Sequence, residues 1–538
     1  MATRRSGGRP SPNKTRKLNI MAPIPLPLQW QLAAAAATLL LALVASILLS
    51  GRCSSKKAGG LKLPPGPVRV PILGNLLQVG PLPHRSFREL ARRHGPVMLL
   101  QLGTVPTVVV SSADAARDVM KAHDADCCSR PVSPGPKRLS YDLKNVAFAP
   151  YDDYWREMRK LFIVELLSMR RVNAAWYARQ EQVENLVRNL TLAGPKPVAL
   201  NEHIYGLADG IIGTVAFGNV YGTERFAHKK HFQNVLDEAL DMMASFSAED
   251  FFPNAAGRLI DRLTGIIARR ERIFHDLDAY FEMVIDKHLD PARDKPENGG
   301  DLVDVLIGIW KDHRGTLRFS RDHVKAIILD TFLGGIDTSS VTMLWTMSEL
   351  IRAPRVLTKV QGEIRAVVGD KERVQPDDMP KLTYLKMVVK ETLRLHPPAT
   401  LLLPRETMRD AKIGGYDVPA KTRIFVNAWA IGRDAASWDE PEEFNPDRFE
   451  TKEVDFNGAH FELVPFGAGR RICPGLAMGA ANVEFTLANL LHCFDWALPD
   501  GVVGVKDVSM KETGGLIFHR KTPLVLVPSA YAYRRGHN

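Results

Sequence analysis

The sequence predicts a mainly α-helical body with a minor β part, carried on a single amino-terminal membrane span. Three observations predict it. Trp30–Leu49 runs for 20 residues without a charge. From Asn173 to His275, and again after Ser320, long stretches keep a helical period with few turn signals, whereas strand-like runs are short. The composition, 45% apolar and 24% charged in 538 residues, suits a folded chain with a large core and excludes both a disordered chain and a multi-span membrane protein. Five cysteines in that length exclude a disulfide-stapled secreted module.

The net charge of +11 is local. No acid precedes Glu89, and 13 of the 71 basic residues lie before it, which leaves 58 basic against 60 acidic residues in the remainder. The excess flanks the apolar run, so it points to a membrane surface and not to nucleic acid. As a helix, Trp30–Leu49 would span about 30 Å, one hydrocarbon core. The chain is expected to divide into a basic extension (1–27), an anchor (28–50), a basic linker with a proline-rich hinge (51–67), a body (68–528) and a short basic tail (529–538). Basic residues on both sides of the span pull its orientation both ways. Translation from Met21 would remove the first block and place the body in the cytosol.

Along the body, Leu63-Pro-Pro-Gly-Pro67 reads as stiff, extended chain. Thr107–Ser111 reads as a strand and Ala115–His123 as a helix. Pro291–Gly300 is polar and loop-like. Ser320 is placed to cap one long helix reaching about Arg352, where Pro354 would stop it. A second helix runs from about Leu382 to Leu395, ahead of His396-Pro-Pro398. Short strands occupy Ile413–Asn427. A last helix starts near Leu476, followed by strand-like Leu524–Val527.

Phe466-Gly-Ala-Gly469-Arg-Arg471-Ile-Cys473-Pro-Gly475 carries the most chemical information. It is a Gly-rich loop that presents one cysteine just before a helix, beside two arginines; both neighbours favour thiolate. The glycines let backbone pass close to something flat or bulky. Three readings stand at this point: a buried structural cysteine, a nucleophile lacking an evident base, or a thiolate ligand to haem. The other cysteines (Cys53, Cys127, Cys128, Cys493) have no ligand spacing.

Three motifs in order resemble the cytochrome P-450 family. Phe466, Gly469, Arg471, Cys473 and Gly475 match its haem loop. Glu391-Thr-Leu-Arg394 matches its Glu-x-x-Arg, a pair that shares a helix face, and Pro446-Asp-Arg448-Phe449 matches the segment whose arginine joins Glu391 and Arg394 in a buried network. The resemblance covers roughly Leu63 to Pro528. It implies the cytochrome P-450 fold, a haem b with Cys473 as axial thiolate, and propionate donors from Trp155, Arg159, Arg405 and Arg471. It also implies an acid–alcohol pair, Asp337 and Thr338, that relays protons to bound dioxygen. Gly334 and Gly335 beside that pair would either permit close helix packing or widen a turn above the haem. An oxygen-independent haem dehydratase or isomerase, or a silent haem-binding scaffold, would not need the pair intact.

Finer wording, in the proline hinge, in Cys127–Asn145, Met242–Pro253 and Met510–Pro523, resembles plant microsomal members that dehydrate an aldoxime to a nitrile and hydroxylate the adjacent carbon to a cyanohydrin. That resemblance implies a small aromatic substrate, an NADPH-dependent reductase as partner and a place in the endoplasmic reticulum membrane. Pocket walls are expected from the Cys127–Pro150 loop, the helix around Leu333–Ser340, Ala399–Leu403 and Gly514–Phe518; the lining is mostly apolar (Ala399, Leu401, Leu402, Leu516, Ile517, Phe518) and suits a small aromatic or terpenoid molecule, with Thr400 and Ser339 as polar handles.

Overall fold

The computed structural model describes residues 60–218, 229–244, 246–293, 300–312, 318–501 and 504–531. The expected extension, anchor, most of the linker and the tail after Tyr531 lie outside the described residues.

Nine of the helices position the site. They are α1 (Trp176–Ala193), α2 (Leu200–Phe217), α3 (Lys229–Ala244), α4 (Ile266–Leu289), α5 (Arg321–Gly335), α6 (Asp337–Arg352), α7 (Pro354–Val368), α8 (Thr383–Leu395) and α9 (Leu476–Cys493). Their apolar faces meet in two large clusters. One gathers α1, α2, α6, α7, α8 and α9 around Leu344, Leu393 and Leu487; the other gathers α2 to α5 around Phe232, Phe281 and Phe332. Among the described residues, Arg321–Arg352 is the one stretch of helix long and apolar enough to cross a membrane, and 61% of its most apolar window is buried inside the body. Its apolar side chains are spent on packing inside the body, as in a core helix.

That central stretch is two helices where one was expected. Ser320 caps α5 with His323, whose Nδ1 accepts the Ser320 backbone N–H at 3.1 Å. The helix then breaks at Ile336 (φ −83°, ψ −65°) and resumes as α6. The two glycines at the break answer to different causes. A Cβ on Gly335 would lie 2.5 Å from Ile212 Cδ1 of α2, so close packing explains that glycine; a Cβ on Gly334 would meet nothing within 4 Å. Pro354 does more than stop a helix: it sits in the first turn of α7, where its missing N–H costs nothing.

The β part is small. Strands β1 (Val97–Leu102), β2 (Val105–Val110), β3 (Arg405–Glu406) and β4 (Arg423–Val426) form one sheet in the order β1-β2-β4-β3, with β2 and β4 parallel and the other pairs antiparallel. The proline-rich segment is tied to this sheet: Leu99 N–H donates to Pro65 O at 2.8 Å, and a Cβ on Gly66 would fall 2.1 Å from Leu99 O. At the other end, Val525–Ala530 pairs with Phe494–Ala497, so the strand runs past the expected boundary at 528.

Helix α8 delivers a buried charge network. Glu391 accepts from Arg394 Nε and Nη2, both at 2.7 Å, from Arg448 Nε at 3.0 Å and from Asn445 N–H at 2.8 Å. Arg394 spends its remaining donors on the carbonyls of Gly432, Pro441 and Glu443. Glu391 and Arg394 have no exposed side-chain surface. Removing one member strands the other charges in a dry interior, so Glu391→Ala is expected to cost about 3–5 kcal/mol. Breaking the exposed Lys359 contacts to Asp447 and Glu450 should cost no more than about 1 kcal/mol. Urea midpoints of the two variants check the contrast.

Candidate active site

The Cys473 loop is held by its own backbone. Cys473 N–H donates to Phe466 O at 2.9 Å, which closes the loop before α9 begins. Gly467 and Gly469 both take φ +68°, a region L-residues avoid. A Cβ on Gly469 would lie 2.3 Å from Met120 O and 2.8 Å from the Asp124 carboxylate, whereas at Gly467 nothing comes closer than 3.7 Å. Close backbone approach to a ligand therefore suits Gly467; Gly469 is demanded by the protein itself. Burial pushes the Cys473 thiol up, while the Gly475 backbone N–H and Arg159 oppose that shift.

Cys473 lines a cavity of about 340 Å³ whose rim carries Arg130, Arg159, Arg405 and Arg471. Among the described residues, three of these make their hydrogen bonds to backbone carbonyls. Arg130 donates to Ala147 O, Leu403 O and Pro404 O (3.1, 2.8 and 2.8 Å). Arg471 donates to Cys128 O and Ala149 O (2.8 and 2.7 Å), and Arg159 to Ile472 O at 2.5 Å. Arg405 bonds Ala468 O at 2.8 Å and shares Asp124 with Arg470 (3.0 and 3.1 Å). Burial, followed by neighbouring Arg405 and Arg159, pushes Arg471 down to about 9. Burial, then Arg471 and Arg405, holds Arg130 well below its ordinary range. Several desolvated cations with one shared carboxylate form a site for a multiply charged anion. Trp155 is not in the cavity wall; its indole N–H donates to Val146 O at 2.9 Å, and Arg471 lies 3.9 Å over its ring.

Across the cavity stands the α5–α6 break. Thr338 lines the cavity, and its hydroxyl donates to Gly334 O at 2.7 Å. Asp337 points the other way, into the body, 8% exposed. Burial pushes its carboxyl up from 3.8 to about 6, against hydrogen bonding from Tyr205.

A cysteine at a helix start, a ring of buried guanidiniums and a broken helix opposite are joined by sequence similarity. A family model described as Cytochrome P450 matches residues 64–527. The chain belongs to the cytochrome P450 family. It is 68% identical over 519 residues to a 4-hydroxyphenylacetaldehyde oxime monooxygenase of Sorghum bicolor, covering 95% of this chain and 97% of that one. It is 50% identical over 510 residues to a 2-methylbutanal oxime monooxygenase of Manihot esculenta, covering 94% and 98%. A zebrafish cytochrome P450 solved with progesterone superposes with a TM-score of 0.72 at 25% identity, over 83% of this chain and 99% of that one.

Members of this family carry haem on a cysteine thiolate. The residues present fit it: among the described residues one cysteine lines the cavity, and the desolvated arginines match two propionates. Arg130 escaped the sequence reading, since a basic residue between Ser129 and Pro131 shows no period or motif; only the fold brings it to Arg471.

The pocket wall differs in part from expectation. Ala399, Leu402, Leu403, Leu516 and Ile517, all within the expected stretches, line the cavity; Thr400, Leu401 and Phe518 are not among its lining residues. Leu402 takes φ +53° and turns the chain there. Leu401 is thereby left against Phe87 and Phe425, and Phe518 packs its ring 4.5 Å from that of His84. Thr400 is buried elsewhere at 2% exposure; Ser339 does line the cavity.

The Asp337 shift has a signed consequence. Its folded value lies above its ordinary one, so its favourable share of stability is complete below about 3.8 and is lost as pH rises through about 6. Asp337→Asn should therefore be more stable than the natural chain at pH 8, by on the order of 2 kcal/mol. The gain should vanish near pH 3.5. Urea unfolding at the two pH values reads it.

Proposed function

We propose that this cytochrome P450 takes 4-hydroxyphenylacetaldehyde oxime, or a close aromatic relative, through two steps. The first removes water from the aldoxime, R–CH2–CH=N–OH, and leaves the nitrile R–CH2–CN. The second adds one oxygen atom of O2 to the adjacent carbon and gives the cyanohydrin R–CH(OH)–CN; two electrons and two protons reduce the other atom to water. The observation that carries the substrate is the 68% identity to the sorghum oxime monooxygenase, spread along 95% of the chain.

When bound, haem supplies an iron that coordinates the oxime nitrogen and activates dioxygen. The protein's share is positional. Cys473 would hold the iron through its thiolate, with Phe466 and Gly467 shaping the approach of the ring and Gly469 fixing the loop. Arg159, Arg405 and Arg471, joined by Arg130, neutralise the propionates and gain the counter-charge their burial calls for; Trp155 supports them by stacking under Arg471. Ala399, Leu402, Leu516 and Ile517 exclude water from the oxime, and Ser339 offers the phenol a polar neighbour. Thr338 holds a proton near the reacting oxygen once its hydroxyl leaves Gly334 O, and Asp337 behind it replaces that proton. A carboxyl raised to about 6 can be either donor or acceptor near neutral pH. Electrons come from an NADPH-dependent reductase, and residues 28–50 anchor the enzyme to the endoplasmic reticulum membrane.

Microsomes containing this chain and the reductase should convert 4-hydroxyphenylacetaldehyde oxime to nitrile and cyanohydrin with NADPH, as read by mass spectrometry. Thr338→Ala should cut cyanohydrin formation about a hundredfold, the low end for loss of a positioned proton-transfer group. Cys473→Ser should lose the thiolate band of the carbon monoxide difference spectrum. A normal spectrum with neither product would sink the oxime assignment and leave the family intact.

A further inference from the structure

Asp337 lies in the wall between the cavity and a second polar cluster built from elements far apart in sequence. Tyr205 reaches it from α2. His519 reaches it from the short strand Phe518–Arg520, with Nε2 3.9 Å from Asp337 Oδ2 and Nδ1 3.0 Å from the Tyr205 hydroxyl. Asp237 and Asp241, one turn apart on the exposed side of α3, act electrostatically on the same groups. Asp209, held by Gln233 Nε2 at 2.8 Å, completes the set. The His519 side chain is 34% exposed, against 8% for Asp337. His519 is therefore the member of this contact that meets solvent.

We propose that His519 is the entry point through which Asp337 regains its proton from bulk water, with Tyr205 holding the imidazole in place and Asp237 and Asp241 drawing protons toward it. The transfer is a proton exchange alone. Water protonates the imidazole, and Nε2 passes that proton to Asp337 Oδ2 when the 3.9 Å gap closes or one water bridges it. Asp337 then gives a proton to the Thr338 side of the wall, and neutral His519 is reset from solvent. No electron moves, and each turnover draws its two protons from water. The polarity of the surroundings suits the direction of flow: burial lowers the affinity of His519 for its proton, while Asp241 and Asp237 raise it. Donor and acceptor stand 3.9 Å apart, a gap that one water or a small side-chain movement closes.

This inference rests on the proton role proposed for Asp337, and two variants keep the two apart. His519→Gln should lower kcat for cyanohydrin formation about tenfold with KM within about twofold, because solvent supplies protons directly but slowly once the imidazole is gone. The carbon monoxide difference spectrum should remain that of the natural enzyme, which shows that fold and ligation survive. Tyr205→Phe should lower kcat about threefold in the same pattern by loosening the imidazole, and it stands in if His519→Gln does not fold. A readout independent of turnover is the titration of His519 in the full-length chain, followed by NMR with labelled histidine and assigned by the His519→Gln spectrum. Asp337→Asn should shift that titration to lower pH, because it removes the negative charge that the imidazolium faces. An unmoved titration overturns the proposal, as does a raised KM with unchanged kcat, which would make His519 a wall residue only. If Asp337→Asn itself leaves turnover unchanged, the proton role of Asp337 falls first; if it lowers turnover while His519→Gln does not, only the entry point falls.

Discussion

A carboxylate with no contact to water must be matched completely by donors, and Glu391 is such a carboxylate. Its four hydrogen bonds come from two arginines and one backbone N–H. Arg394 in turn holds the carbonyls of Gly432, Pro441 and Glu443, which lie in a long stretch with little regular structure. Irregular chain has no ladder to fix it, so a buried ion network substitutes for one. That stretch leads into the Cys473 loop, and Phe444 and Phe466 pack against the same apolar cluster as α8. A sulfur held in place by a loop of glycines thus depends on a charge network well before it in the chain.

The helix break opposite the sulfur shows one local defect serving two ends. Gly335 lets α2 approach closely, and Gly334 leaves open space next to it. The hydroxyl of Thr338 takes up Gly334 O, so the break does not leave that carbonyl without a donor. Asp337 is turned from the cavity toward Tyr205 and His519. The acid and the alcohol, adjacent in sequence, therefore face opposite sides of the same wall, which is what a proton passing through it requires.

The long apolar helices, the span from Ser320 to Arg352 and the three motifs around Glu391, Arg448 and Cys473 were legible in the sequence, because period and spacing are local properties. The break at Ile336 was legible only as one of two readings of Gly334-Gly335, since one residue of altered backbone leaves no mark on hydrophobic period. The pocket wall was half legible. Ala399, Leu402, Leu516 and Ile517 lie in the wall where the sequence put them, but the left-handed turn at Leu402 redirects Leu401, a reversal that no side-chain preference at a leucine announces. Arg130, Tyr205 and His519 belong to no motif and reach their sites only through tertiary contacts. Trp155 was expected as a donor toward the cavity, yet Val146 O takes its N–H; a motif names a residue without fixing which neighbour it satisfies.

The segment from Asn145 to Ala147 joins the two charged ends of the cavity. Asp330 of α5, half-buried beside the cavity and pushed up by burial to about 6, accepts Val146 N–H at 2.7 Å, Ala147 N–H at 3.1 Å and the Asn145 amide at 2.8 Å. Arg130 takes Ala147 O from the other side, and Arg471 lies within 3.4 Å of Val146 O. An acid and two guanidiniums thus grip one short loop by its backbone, leaving Val146, Ala147 and Phe148 to line the cavity. Because the grip is on main-chain atoms, those side chains can change without loosening the loop. One methylene in such a wall alters discrimination by about 1–3 kcal/mol. A frame this indifferent to its lining leaves discrimination among small ligands to a few apolar side chains and not to the charged groups that hold them.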